Sequence, residues 1–305
     1  MQQLLREFCE GKKRGFIDYY YWFVGLCWRF LLKTRVATAR AATTAYSTFY
    51  PDGTKTGEFT DEPSFTTYEE LLNVKPFKDA DETAERFVAR DQGKIEYLKN
   101  SSITVFTSDY ALYWWDYLSG YDVVLAHMGS NITLTQQIAL TRGDTKLQSK
   151  DWGIVITWKY NNPPYLDTGA EILSQMQTAY ECGAKYLVLF NYYLDDGTPY
   201  GTMQKEHFQA LENFSNNVVK NPHVTHCSTK ADTVLILPQN HGCGMRWRED
   251  KIWGIFKADE QALQLWDLMQ TTLQNHGLKT DIVYEDAEYP VAREYQNTIH
   301  WNQSD

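Results

Sequence analysis

The chain has 305 residues, 43% hydrophobic and 22% charged, which is enough apolar material for one large globular domain or one and a half. With 39 acidic against 29 basic side chains the formal charge is −10, and this argues against a nucleic-acid partner, because binding phosphates needs a basic face. Aromatic residues make up 15% of the chain, a supply of rings that can fill a core or stack on sugar rings.

In chain order, the opening MQQLLREFCEGKKRG is polar and lacks a signal-peptide pattern. The most apolar run, Phe16 to Leu32, contains Asp18 and Arg29 and is short for a membrane span. It reads as a buried strand over Phe16 to Leu26, with no membrane span expected, in a chain that begins in mid-domain. Residues 27–60 are basic and Ala/Thr-rich, then turn-rich at Pro51-Asp52-Gly53. They show no period of 2 or 3.6, so part of this segment is expected to be poorly ordered. Helical patterning runs from Tyr68 to Leu98, with Phe87, Val88, Ile95 and Leu98 on apolar faces.

A strand–helix rhythm follows. Strands are expected at Ile103–Thr107, Asp122–His127, Trp152–Trp158 and Lys185–Phe190, the last two as runs buried on both faces. Helices are expected at Tyr110–Leu118, Thr133–Leu147, Thr168–Cys182 and Met203–Val219. A further unit reads strand Thr233–Leu237, helix Asp259–His276 and strand Thr280–Tyr284. The predicted fold is α/β: a parallel (β/α) TIM-type barrel over residues 1–225, incomplete at its N-terminus, with a small C-terminal βαβ unit over residues 231–305.

In parallel α/β folds ligands sit beyond the C-terminal strand ends. Those ends carry Asp109, His127, Asn131, Trp158, Tyr160, Asn191 and Tyr192, a polar and aromatic set suited to a saccharide. Two of them also have purely structural readings: Asp109 can cap a helix and His127 can be a core histidine. Glycoside hydrolysis needs two carboxyls, and Glu62, in Asp61-Glu62-Pro63, is the best second one beside Asp109. The long loop after Thr233–Leu237 carries Trp247 and Trp253 between Arg246 and Lys257, and reads as a flap lining a sugar site or as a packed interdomain loop. Gly242-x-Gly244 in the same loop lacks the third glycine of a dinucleotide fingerprint. The five cysteines lack CxxC spacing, so no metal site and no cofactor are expected, while a Cys227–Cys243 bridge stays open for an exported protein. Sequons at Asn100, Asn131, Asn213 and Asn302 do not decide the compartment.

The segments TSDYALYWWDYLSGYDVVLAHMG, QQIALTRG, KDWGIVITWKYNNPPYLDTGAEI, AYECGAKYLVLFNY, EDKIWGIFKADE and LKTDIVYED together resemble a group of uncharacterised, mostly archaeal proteins of glycoside-hydrolase-like barrel type. The resemblance implies a carbohydrate-active protein with a saccharide ligand, and an extracellular or cell-surface location for the full-length family. It places Asp61-Glu62-Pro63 and Ser108-Asp109-Tyr110 at the barrel mouth. Two functions are expected from it: a glycoside hydrolase acting through Glu62 and Asp109, or a non-catalytic carbohydrate or cell-surface binding protein with a degenerate barrel site. Carboxyls about 5–5.5 Å apart suit a retaining enzyme and about 6.5–9.5 Å an inverting one. The oligomeric state is not legible.

Overall fold

A computed structural model of the chain describes residues 47–49, 55–58, 77–100, 102, 104–128, 133–157, 159, 164–191, 201–221, 226–242, 247–254, 256–291 and 295–302. The chain divides into two compact units, residues 1–76 and 77–305. In the first, β1 (Ser47–Phe49) pairs antiparallel with β2 (Lys55–Glu58). The strand expected at Phe16 to Leu26 and the rest of the unpatterned stretch 27–60 lie outside the described residues.

The second unit opens with α1 (Ala80–Asn100), whose first turn is capped by Asp79 accepting from the Glu82 N–H at 3.0 Å. Ala84, Phe87 and Ile95 form its buried stripe. Then come β3 (Phe106–Asp109), α2 (Tyr113–Leu118), β4 (Val123–Met128), α3 (Leu134–Gln148), β5 (Asp151–Ile156), α4 (Gly169–Glu181), β6 (Tyr186–Leu189) and α5 (Lys205–Phe214), which a π turn extends over Ser215–Val219. The strands lie side by side in the order β3-β4-β5-β6, all parallel, as the helix between each successive pair requires. Thr133 and Thr168 cap α3 and α4 where the sequence places them, Thr168 in a reciprocal box with Glu171.

The protein is therefore α/β, with parallel sheets and alternating helices. The four-stranded sheet is open among the described residues, with β3 and β6 at its edges. Edge position explains a departure from expectation. The apolar run of β6 predicts burial on both faces, yet the strand is half-buried and Val188 is 41% exposed. One face of the sheet carries Val124, Ala126, Met128, Trp152, Ile154 and Ile156 into the core shared with the helices. On the other face the rings of Phe106 and Tyr186, borne by the two edge strands, meet edge to face at 4.9 Å. Three flat inter-strand spacings would separate their backbones by roughly 14 Å, so the sheet curves.

A second sheet combines β7 (Thr233–Leu237), β8 (Thr280–Tyr284) and β9 (Asn297–His300) in the order β8-β7-β9, all parallel. Helix α6 (Glu260–His276), capped by Asp259, connects β7 to β8. β9 was not expected. Its four residues, NTIH, are half polar and give no readable alternation.

Helix α3 joins the two sheets, packing on β4 and β5 and also on β8. The boundary expected between residues 225 and 231 thus falls inside one compact unit. A Cβ on Gly143 would lie 2.6 Å from the Ile282 carbonyl oxygen, so only glycine lets α3 approach β8 this closely. Being covered on both sides, α3 buries polar residues as well: Gln137, Thr141, Arg142, Asp144 and Thr145 are all within the interior.

Asp144 is fully buried, and neither of its carboxyl oxygens makes a well-formed hydrogen bond among the described residues, the Trp114 backbone N–H giving only a weaker opposing pull. Burial, with the negative charge of Asp281 nearby, raises its pKa well above the usual carboxylate range. The folded protein consequently holds a proton here that the unfolded chain releases near pH 4, taking about 3.9 as the unfolded value. Stability from this group is fully present below that pH and is lost as pH rises toward the folded pKa. The slope across the window is at most about 1.4 kcal/mol per pH unit. Asp144→Asn is expected to be more stable than wild type at pH 7, with the difference closing below about pH 4. Urea midpoints measured from pH 3 to 8 check this; equal midpoints for both proteins across the range would exclude a buried protonated Asp144.

Candidate functional site

The parallel register brings Asp109, His127 and Asn191 to the same end of the four-stranded sheet but not into one cavity. Asp109 pairs with Ala126, so His127, one residue further, points to the opposite face. Asp109 Oδ1 accepts the backbone N–H groups of Tyr110, Ala111 and Leu112 at 2.6, 2.9 and 2.9 Å. This capping turn delays the helix, expected from Tyr110, until Tyr113. The carboxyl is buried, which raises its pKa, while the three backbone donors act against the rise. His127 is 4% exposed, with its ring 4.6 Å from that of Tyr110, and burial pushes its pKa down to about 4, so it is neutral at pH 7. Asn191 accepts from the Thr202 hydroxyl at 3.1 Å and the Met203 N–H at 3.3 Å, bracing the loop before α5. Glu62, Asn131, Trp158, Tyr160 and Tyr192 lie outside the described residues.

The loop after β7 is packed and does not act as a flap at Trp253. That ring is 1% exposed, set at 4.6 Å from Trp115 and 5.5 Å from Phe87, and its indole N–H donates to the Asn240 carbonyl at 2.8 Å. No face is left for a sugar, so the stacking role expected of Trp253 is corrected to a core role. Gly242 is there for the same packing: a Cβ would lie 2.7 Å from the Trp253 ring. Trp247 is 44% exposed, and the neighbouring Arg248 is held by a two-pronged ion pair with Asp267 on α6.

An open cavity of about 560 Å³ lies beside α6, at the C-terminal end of the three-stranded sheet. It is lined by Glu260, Gln261, Gln264, Leu265 and Leu268 of α6 and by Trp301 and Asn302, which follow β9. Trp301 is fixed at two points. Its backbone N–H donates to Ile236 O at 3.0 Å, continuing the β7–β9 ladder, and its indole N–H donates to Glu285 Oε2 at 3.2 Å. The lining thus pairs an oriented aromatic ring and two leucines with three side-chain amides and a carboxylate. Such a set can stack on a pyranose face while pairing its hydroxyls. None of these residues was expected at a site. The only local signals were the Trp301-Asn302 pair itself and the Gln261/Gln264 spacing on one helical face, both unreadable without knowing that β9 exists.

Among the described residues, no group of three or more His, Cys, Asp or Glu side chains is placed to hold a metal ion, and no helix is long and apolar enough to cross a membrane. Cys227 is a free, exposed thiol, and Cys243, the other half of the bridge left open by the sequence, lies outside the described residues. Compared with protein-family models, with curated proteins and with solved structures, the chain matches none.

Proposed function

We propose that the protein binds saccharides, and that the site is the cavity between α6 and Trp301. The observation that carries this reading is the lining itself: a ring held in place by Glu285, with the amide-bearing Gln261, Gln264 and Asn302 lining the same cavity. The expectation from the family resemblance, a carbohydrate-active protein with a barrel-type fold, agrees with it. So do the sequential order β3-β4-β5-β6 and the curvature of that sheet, features a barrel segment would have.

A hydrolase reading keeps one specific support. Asp109 Oδ2 is buried without a partner among the described residues, and the carboxyl is biased toward its protonated form, the state a general acid needs. Against it stand the three backbone donors on the other oxygen and a carboxyl almost sealed from solvent.

Glycan-array binding followed by calorimetry on the best hits tests the proposal. Trp301→Ala should weaken binding about tenfold or more, as loss of an anchoring aromatic does. Wild-type protein that binds no glycan, or a Trp301→Ala variant with unchanged affinity, would reject it. Release of reducing sugar from any bound glycan would favour the hydrolase.

A further inference from the structure

Cys227 and His226 follow α5 in a short connection before β7 and play no part in the saccharide reading. The thiol sulfur lies 3.3 Å from His226 Nδ1. On the far side of the ring, Nε2 is 3.1 Å from the backbone carbonyl oxygen of Ala184. A carbonyl oxygen can only accept, so Nε2 carries the hydrogen of the neutral ring and Nδ1 presents a bare lone pair to the thiol. The ring cannot easily turn away, because it packs on Tyr180 with centroids 4.8 Å apart. The sulfur is held as well. Cys227 sits at φ 60°, in the left-handed region, and its Sγ closes on Gly183, where a Cβ would come within 3.0 Å.

We propose that Cys227 and His226 form a thiol–imidazole pair that exchanges with small disulfides, making Cys227 a site of reversible mixed-disulfide modification. Nδ1 of His226 takes the thiol proton, and the sulfur attacks one sulfur of the incoming disulfide. A bond forms between Cys227 Sγ and that sulfur while the incoming S–S bond breaks. The departing thiolate takes the proton back from the imidazolium and leaves as a thiol. The Cys227 sulfur is oxidised and the departing sulfur reduced, so the exchange balances without another reagent.

The exposed position suits a small disulfide. Cys227 is exposed, and the ammonium of Lys185, itself 54% exposed and paired with Asp151, lies within electrostatic reach of the sulfur. The other described thiol is enclosed: Cys182 is buried at the end of α4, and burial pushes its pKa up to about 11.

The test uses the full chain and glutathione disulfide, with peptide-resolved mass spectrometry following each cysteine over time. The native protein is expected to form a mixed disulfide at Cys227 about tenfold faster than at Cys182, and about tenfold faster than Cys227 does after unfolding in urea. His226→Gln is the informative variant, because its side-chain amide can still donate to the Ala184 carbonyl but offers no base toward the sulfur. It should slow the reaction at Cys227 about tenfold with an unchanged thermal midpoint. A Cys227 that reacts no faster in the native protein than in urea, or a folded His226→Gln protein reacting at the wild-type rate, overturns the proposal. The native-versus-urea comparison stands even if the variant does not fold.

Discussion

Arg142→Ala is expected to destabilise the protein by about 3–5 kcal/mol, the range for removing one partner of a buried ion pair. Arg142 Nε donates to Asp281 Oδ1 at 2.6 Å, and the two side chains are only 10% and 2% exposed. The guanidinium also donates to the carbonyls of Leu278, Thr280 and Thr229 at 2.7, 3.0 and 3.3 Å. Truncation strands a carboxylate and these acceptors inside the joint between α3 and β8. The remaining partner of Asp281, the Tyr295 hydroxyl at 2.7 Å, is neutral and cannot offset the charge. The double variant Arg142→Met with Asp281→Leu should recover part of the loss, since apolar groups of similar size avoid the desolvation cost of both charges, while the three carbonyls and the Tyr295 hydroxyl stay unpaired. Guanidinium-chloride midpoints of Arg142→Met, Asp281→Leu and the double variant give the coupling. An Arg142→Ala protein within about 1 kcal/mol of wild type would mean that α3 does not bind the two sheets together through this pair.

Trp253→Ala is expected to cost about 3–5 kcal/mol of stability, the usual penalty for emptying a buried aromatic site. The ring fills the space between Phe87 on α1 and Trp115 on α2, and Trp115 in turn packs at a tilt against Tyr284 of β8, with centroids 4.4 Å apart. Its removal also strips Asn240 O of its indole donor, while Asn240 still holds the indole of Trp115 at 3.3 Å and Asp81 at 3.0 Å. Affinity for a saccharide should be unchanged wherever the variant is folded, the reverse of Trp301→Ala. Thermal midpoints and glycan affinities of the two variants, measured side by side, separate core tryptophan from ligand tryptophan. A Trp253→Ala protein with wild-type stability and lost glycan binding would restore the flap reading of this loop.

The contrast between these two tryptophans shows where sequence reasoning stops. Local chemistry is written locally. Thr133, Thr168 and Asp259 accept from backbone N–H groups three residues on, so helix starts were legible from the chain alone. The apolar runs TVLIL and TDIVY were legible as strands because both faces of β7 and β8 are covered. The parallel order of β3 to β6 followed from helix-length connections between successive strands.

Burial and neighbourhood depend instead on contacts far apart in sequence, which no local pattern encodes. Asn240 reaches Trp115 across 125 residues, and that contact, with Trp253, turned an apparent sugar flap into core. Strand register put Asp109 and His127 on opposite faces, because successive side chains alternate and a one-residue offset decides the face. The sequence marks α3 only as a helix; two sheets enclose it, so its polar residues had to find partners or protons inside. The cavity exists only because β9 continues the β7 ladder and carries Trp301 to α6. A four-residue edge strand takes its stability from the strand beside it, so only the tertiary structure could place that tryptophan.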